Sequence, residues 1–206
     1  MTVTISRLYN SYAEAREAVN NLEAVGINNS DISIIASNAD NWYSPDRKAG
    51  AVPDRDLNGK DDRAEAAGTG AGVGAAVGGA AGLLAGLGLM AIPGVGPVVA
   101  AGWLVSTLAG AAAGGATGGV IGALTQAGVA GDEADVYAEG LRRGGAVVSA
   151  RVADADASRL KAVMDRKAIK LTDRSAAYRK AGWQSFDPDA QPYSAEQVRR
   201  ERELFR

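Results

Sequence analysis

Val3, Ile5 and Leu8 alternate with polar neighbours across Thr2–Leu8, the period-two pattern of a half-buried strand. Ser11 followed by Glu14 forms a capping box, and Tyr12, Ala15, Val19, Leu22 and Val25 then line one helical stripe. Gly26 is placed to end that helix in a left-handed cap, and Ile32–Ala36 supplies the next strand. The first 37 residues therefore predict a βαβ unit.

A comparable unit recurs near the other end. Asp132 is placed to cap a helix running to about Arg143, with Glu133 and Asp135 at its positive end and Gly144 closing it. Ala146–Val152 predicts a strand with Val148, Ala150 and Val152 on one face and Val147 on the other. Asp154 or Asp156 starts a helix presenting Leu160, Val163 and Met164, and Ala168–Thr172 follows as a fourth strand. Two βαβ halves predict an α+β, ferredoxin-like sandwich. The chain divides into a first half at 1–37, an acidic linker at 38–65, an apolar insertion at 66–131, the second half at 132–174 and a tail at 175–206. In that tail Ser194 and Gln197 form a capping box for a short helix that could dock on a neighbouring subunit.

The insertion is where composition changes the picture. Residues 66–131 contain no Asp, Glu, Lys or Arg and hold 20 of the 27 glycines. Gly70, Gly74, Gly78, Gly82 and Gly86 recur every fourth residue. So do Gly102, Ser106, Gly110, Gly114, Gly118 and Gly122, and Ile92-Pro-Gly-Val-Gly-Pro97 lies between the rows. The spacing predicts a helical hairpin, about Ala66–Ala91 and Val98–Ala127, with a glycine stripe on each arm. Glycine costs about 1 kcal/mol per site in a solvated helix, so such stripes require a closely packed second backbone. The other faces carry Ala, Val, Leu83, Leu84, Leu87, Leu104 and Leu108. Each arm exceeds the roughly 20 residues that span a bilayer. A membrane-inserted hairpin, with lipid as partner, is the leading expectation. A homo-oligomeric filament or shell with the hairpins buried in water is the alternative. Lys60 and Arg63 beside the first arm suit a cytoplasmic folded domain, in the cytoplasm or at the inner membrane.

Candidate chemistry is sparse. The chain has no His and no Cys, which removes imidazole acid–base catalysis, Ser-His and Cys-His triads, and thiol redox chemistry. Net charge is −2, so no global field draws nucleic acid. Gly70-Ala-Gly72-Val-Gly74 follows no predicted strand, and no Gly-Lys-Ser/Thr occurs, so nucleotide binding is rejected. No carboxylates form a convincing catalytic pair, and the chain is expected not to be an enzyme. Trp42-Tyr43 and Trp183 read as packing anchors, while Tyr178-Arg179 and Arg199–Glu203 read as a solvated face.

One stretch fits a cation. Asp54 to Glu65 matches the twelve-residue D-x-[DN]-x-[DN]-G-x5-E loop, with Asp54, Asp56, Asn58, Lys60 (through its carbonyl), Asp62 and Glu65 as calcium ligands. Asp61 stands where an aliphatic residue is usual, and Pro53 stands where the entering helix should end. A solvated acidic linker that caps the following helix accounts for the same residues.

Several segments resemble a known family. Val3-Thr-Ile-Ser-Arg-Leu-Tyr9, Ala13-Glu-Ala-Arg-Glu-Ala18 and Asp31-Ile-Ser-Ile-Ile35 are similar to the general stress protein 17M-like (YflT-like) domain. Ile92–Pro97 between glycine rows, Tyr137–Gly145 and Ala177–Trp183 resemble segments of bacterial proteins carrying that domain. The resemblance implies a bacterial, stress-associated protein with no established activity, and it supplies no catalytic residues.

Overall fold

The computed structural model describes residues 1–44, 87–113 and 119–205. Among these residues five strands form one antiparallel sheet: β1 (Thr2–Tyr9), β2 (Ile32–Ser37), β3 (Gly88–Ile92), β4 (Gly96–Gly102) and β5 (Ala146–Ala153), in the order β1-β5-β2-β4-β3. Seven α-helices accompany them among the described residues: α1 (Tyr12–Ala24), α2 (Leu104–Ala113), α3 (Gly119–Gln126), α4 (Gly131–Arg142), α5 (Ala157–Met164), α6 (Leu171–Lys180) and α7 (Ala195–Leu204). The fold is α+β.

The alternation read from the sequence sets the two faces. Ile5, Ile34, Val148, Ala150 and Val152 bury one face beneath α1 and α5, where Ala15, Val19, Leu22, Leu160 and Met164 meet them. Leu8, Ile35, Val98, Ala100 and Val147 bury the opposite face beneath α2, α3 and α4. On that second face Ser6 and Ser149 pair in register and share a 2.8 Å hydrogen bond. The Tyr137 hydroxyl donates to the Ser6 carbonyl at 2.6 Å, so α4 is fixed to the sheet by a buried polar contact. Helices cover both faces, and the sheet is the middle layer.

Helix starts follow their caps. Ser11 Oγ accepts from Glu14 N, and Glu14 reaches back to Asn10 N. The Ser194–Gln197 capping box is complete. For α4 the cap position falls on Ala130, so Asp132 sits inside the first turn and acts on the helix dipole.

Two expectations are corrected. Ile92-Pro-Gly-Val-Gly-Pro97 does not separate two helices: it is the turn of a β-hairpin. Val95 N donates to Ile92 O at 3.1 Å and Gly94 has φ +70°, the geometry of a turn with Pro second and Gly third. Val98 and Val99 then prefer the pleated surface. Of the expected second arm, Val98–Ala127, the described residues begin in β4 as far as Gly102 and continue in α2 (Leu104–Ala113) and α3 (Gly119–Gln126). Among the described residues no helix is long and apolar enough to cross a membrane. The other correction concerns Ala168–Thr172. Only Ile169 N bonds the β1 edge, at Leu8 O, and Leu171 opens α6. Arg174 and Tyr178, one turn apart and both buried, give this segment a helical face that outweighs its short apolar run.

Candidate functional site

Gly102 (φ +91°) ends β4, and a Cβ there would lie 2.2 Å from the Ile32 carbonyl oxygen. The close approach puts Ser33 Oγ 3.0 Å from Leu104 N, so a β2 hydroxyl caps α2. Gly102 therefore serves the sheet end. Ser106 is exposed on α2 and donates to Trp103 O at 3.0 Å. Gly110 also lies in α2. Gly122 lies on α3 with nothing among the described residues within 4 Å of an added Cβ. Leu104, Leu108, Val120 and Leu124 from these two helices are buried on the sheet. Gly70, Gly74, Gly78, Gly82, Gly86, Gly114 and Gly118 lie outside the described residues, as do Asp54, Asp56, Asn58, Lys60, Asp62 and Glu65. Among the described residues no group of three metal-ligating side chains occurs.

The two ends of the segment 45–86 leave the fold at one point. Trp42 stacks on Tyr12 with ring centroids 4.2 Å apart and donates Nε1 to Ser37 O at 2.7 Å. The Tyr43 hydroxyl donates to Leu87 O at 2.9 Å, next to the start of β3.

β3 is the outer strand on this side and pairs only with β4 among the described residues. Its sequence, Gly-Leu-Met-Ala-Ile, carries no charge and no proline, and Leu89 is 48% exposed. Edges are normally blunted by such residues, and the opposite edge is: β1 carries Arg7 and meets Ile169.

A second feature gathers where α4, α6 and α7 meet. Glu139 is fully buried and pairs with both Arg142 and Arg143. Arg143 also reaches Glu201 on α7, and its guanidinium lies 4.1 Å over the Tyr178 ring. Arg202 pairs with Asp40 and donates to the Gly144 carbonyl at 2.9 Å. Arg174 donates to Asn10 Oδ1 at 2.7 Å and stacks 3.9 Å over Phe205. The face read as solvated thus contains Tyr178 at 1% exposure and Glu201 at 9%. α7 seats on its own chain, Val198 against Gly144, where an added Cβ would approach Val198 Cγ1 to 2.2 Å. The alternating signs of Glu139, Arg142 and Arg143 at helical spacing were the available signal, and nothing local says which of such pairs is buried. No family model, no curated protein and no solved structure matches the chain.

Proposed function

We propose that the chain is a non-catalytic, bacterial stress-associated structural protein that joins copies of itself, and that β3 is the contact. The carrying observation is the uncharged edge of Gly88–Ile92, which pairs only with β4 among the described residues, with half-exposed Leu89. A second β3, added across that edge, would satisfy its outward backbone groups and cover Leu89. Association of this kind replaces the helix-against-helix glycine contact at Gly102 and Gly122. The glycines at 70–86, lipid association of residues 66–86, and calcium at Asp54–Glu65 stay part of the proposal on their sequence patterns alone. The stress association rests on the family resemblance. The ferredoxin-like reading belongs here too: β1 and β2 run parallel with β5 between them, so the β3–β4 hairpin and α2–α3 become additions at one edge.

Sedimentation of the full chain, with and without calcium, tests the contact against a Leu89→Lys variant. Concentration-dependent assembly of the wild type, lost in the variant, is expected. A monomeric wild type, or a variant that assembles equally well, refutes the β3 contact. Flotation with vesicles after a carbonate wash identifies a lipid-held form instead.

A further inference from the structure

In an antiparallel sheet both backbone groups of a residue point to one side, and the side alternates along the strand. Asn38 N donates to Pro97 O at 2.8 Å, so Pro97 faces β2 and its partner Ala91 bonds nothing on β4. Ile92 O accepts from Val95 N inside the turn, which gives the same parity. Gly88, Met90 and Ile92 thus face β4. The N–H and C=O groups of Leu89 and Ala91 point out of the sheet, with no partner among the described residues. Both side chains are exposed on the face that Leu89 shares with Val99. The same count, carried through β5 from the bond of Ser37 N to Gly145 O, puts Ser6 and Leu8 of β1 outward. Both of those carbonyls are taken within the chain. Leu8 O accepts from Ile169 N at 2.8 Å, and Ser6 O accepts from the Tyr137 hydroxyl at 2.6 Å and Arg7 Nη1 at 2.8 Å. Among the described residues, then, one edge of the sheet is closed by its own chain and the other is open.

We infer that two copies pair β3 with β3, antiparallel about a two-fold axis at Met90, as a closed dimer; this rests on the β3 contact proposed above. Only outward residues bond across a new edge, so the available registers are few. Leu89 opposite Leu89, or Ala91 opposite Ala91, makes one bonded pair and leaves the other outward residue unmatched. Leu89 opposite Ala91 of the second copy satisfies both, with two hydrogen bonds at each of two symmetry-related pairs. That register sets a small side chain across from a large one, so each Leu89 has room to cover the facing Ala91. Met90 meets its counterpart on the axis as a non-bonded pair. Because β1 is closed, the contact consumes the open edge of each copy. The two five-stranded sheets become one and do not propagate into a filament or shell.

The chain has no Cys, so single substitutions in the full-length protein report the register. Met90→Cys places two sulfurs at a non-bonded pair whose Cα atoms lie about 4.5 Å apart, within the span of a disulfide. Leu89→Cys and Ala91→Cys each place theirs on a diagonal of about 7–8 Å, beyond it. Oxidation at concentrations where sedimentation shows association should trap Met90→Cys as a covalent dimer, with about tenfold less from either other variant. Ala91→Pro removes one outward N–H per copy, hence two of the four dimer bonds, and no β3–β4 bond. It should weaken the dimer about tenfold or more while the urea midpoint of the dilute monomer stays near that of the wild type. A wild type that stays monomeric overturns the β3 contact and this dimer with it. Association that Leu89→Lys abolishes, but that is trapped through Leu89→Cys or Ala91→Cys and not through Met90→Cys, keeps the contact and overturns the register. Growth beyond a dimer that Leu89→Lys abolishes keeps the contact and overturns the closure, and an Ala91→Pro chain that dimerises as the wild type does overturns the outward bonding.

Discussion

Gly122 and Leu124 lie two residues apart on α3, and substituting each by Ala separates the packing of this helix on the sheet from packing on a second glycine row. A Cβ at Gly122 meets nothing within 4 Å among the described residues, so against them Gly122→Ala costs no contact and gains helix propensity, about 0.5–1 kcal/mol. Leu124 is fully buried among Leu104, Leu108, Val120 and Leu141, so Leu124→Ala removes core volume that rigid neighbours cannot refill, at about 2–5 kcal/mol. Against a total stability of about 5–15 kcal/mol the second loss is large. Urea unfolding followed by circular dichroism reads both. With a slope of about 2 kcal/mol/M, the midpoint should rise by about 0.4 M in Gly122→Ala and fall by more than about 1 M in Leu124→Ala. If Gly122 instead faced another helix backbone, its added methyl would force the pair apart and destabilise. A Gly122→Ala midpoint that falls, or a Leu124→Ala midpoint that does not move, refutes the assignment of α3 to the sheet.

Alkaline stability should show the buried phenols. Burial raises Tyr9, Tyr137 and Tyr178 above their ordinary value of 10.0, so below pH 10 both folded and unfolded chains keep these protons. Above it the unfolded chain loses them first, and stability should fall by about 1.4 kcal/mol per pH unit for each, about 4 together, until Tyr178 titrates near 12. Tyr178→Phe should remove about a third of that slope in urea midpoints measured between pH 9 and about 12; a flat profile contradicts the burial. Gly144→Ala combines a φ of +97° with a Cβ driven onto Val198, and should cost about 2–4 kcal/mol. Val198→Ala in the same chain should recover part of that loss in a double-mutant cycle, while strictly additive losses contradict the α7 contact.

The elements best legible in the chain are those whose local signals agree. Thr2–Leu8 and Ala146–Val152 alternate over enough residues to define strand and face together, Ile32–Ala36 reads as a strand by its apolar run, and the structure lengthens each by a residue. α1, with Gly26 behind it, and α7, with its capping box, were equally plain. Such signals act within a few residues, so they hold before any tertiary contact forms.

Where a residue type serves two geometries, the distant partner decides. Glycine every fourth position fits a helix groove, yet Gly102 is required because the Ile32 carbonyl passes 2.2 Å from where a Cβ would stand. Pro93-Gly94 breaks a helix and builds a β-turn equally well; Val98 and Val99 became a strand because β2 offers a free edge for pairing. Ala168–Thr172 lost its strand once Arg174 and Tyr178 found burial against α4 and α7. The charge cluster where α4, α6 and α7 meet follows the same logic. Arg174, Tyr178 and Glu201 read as surface residues by composition. Their burial comes from tail segments folding back over α4, because desolvation belongs to the assembled environment and not to the residue.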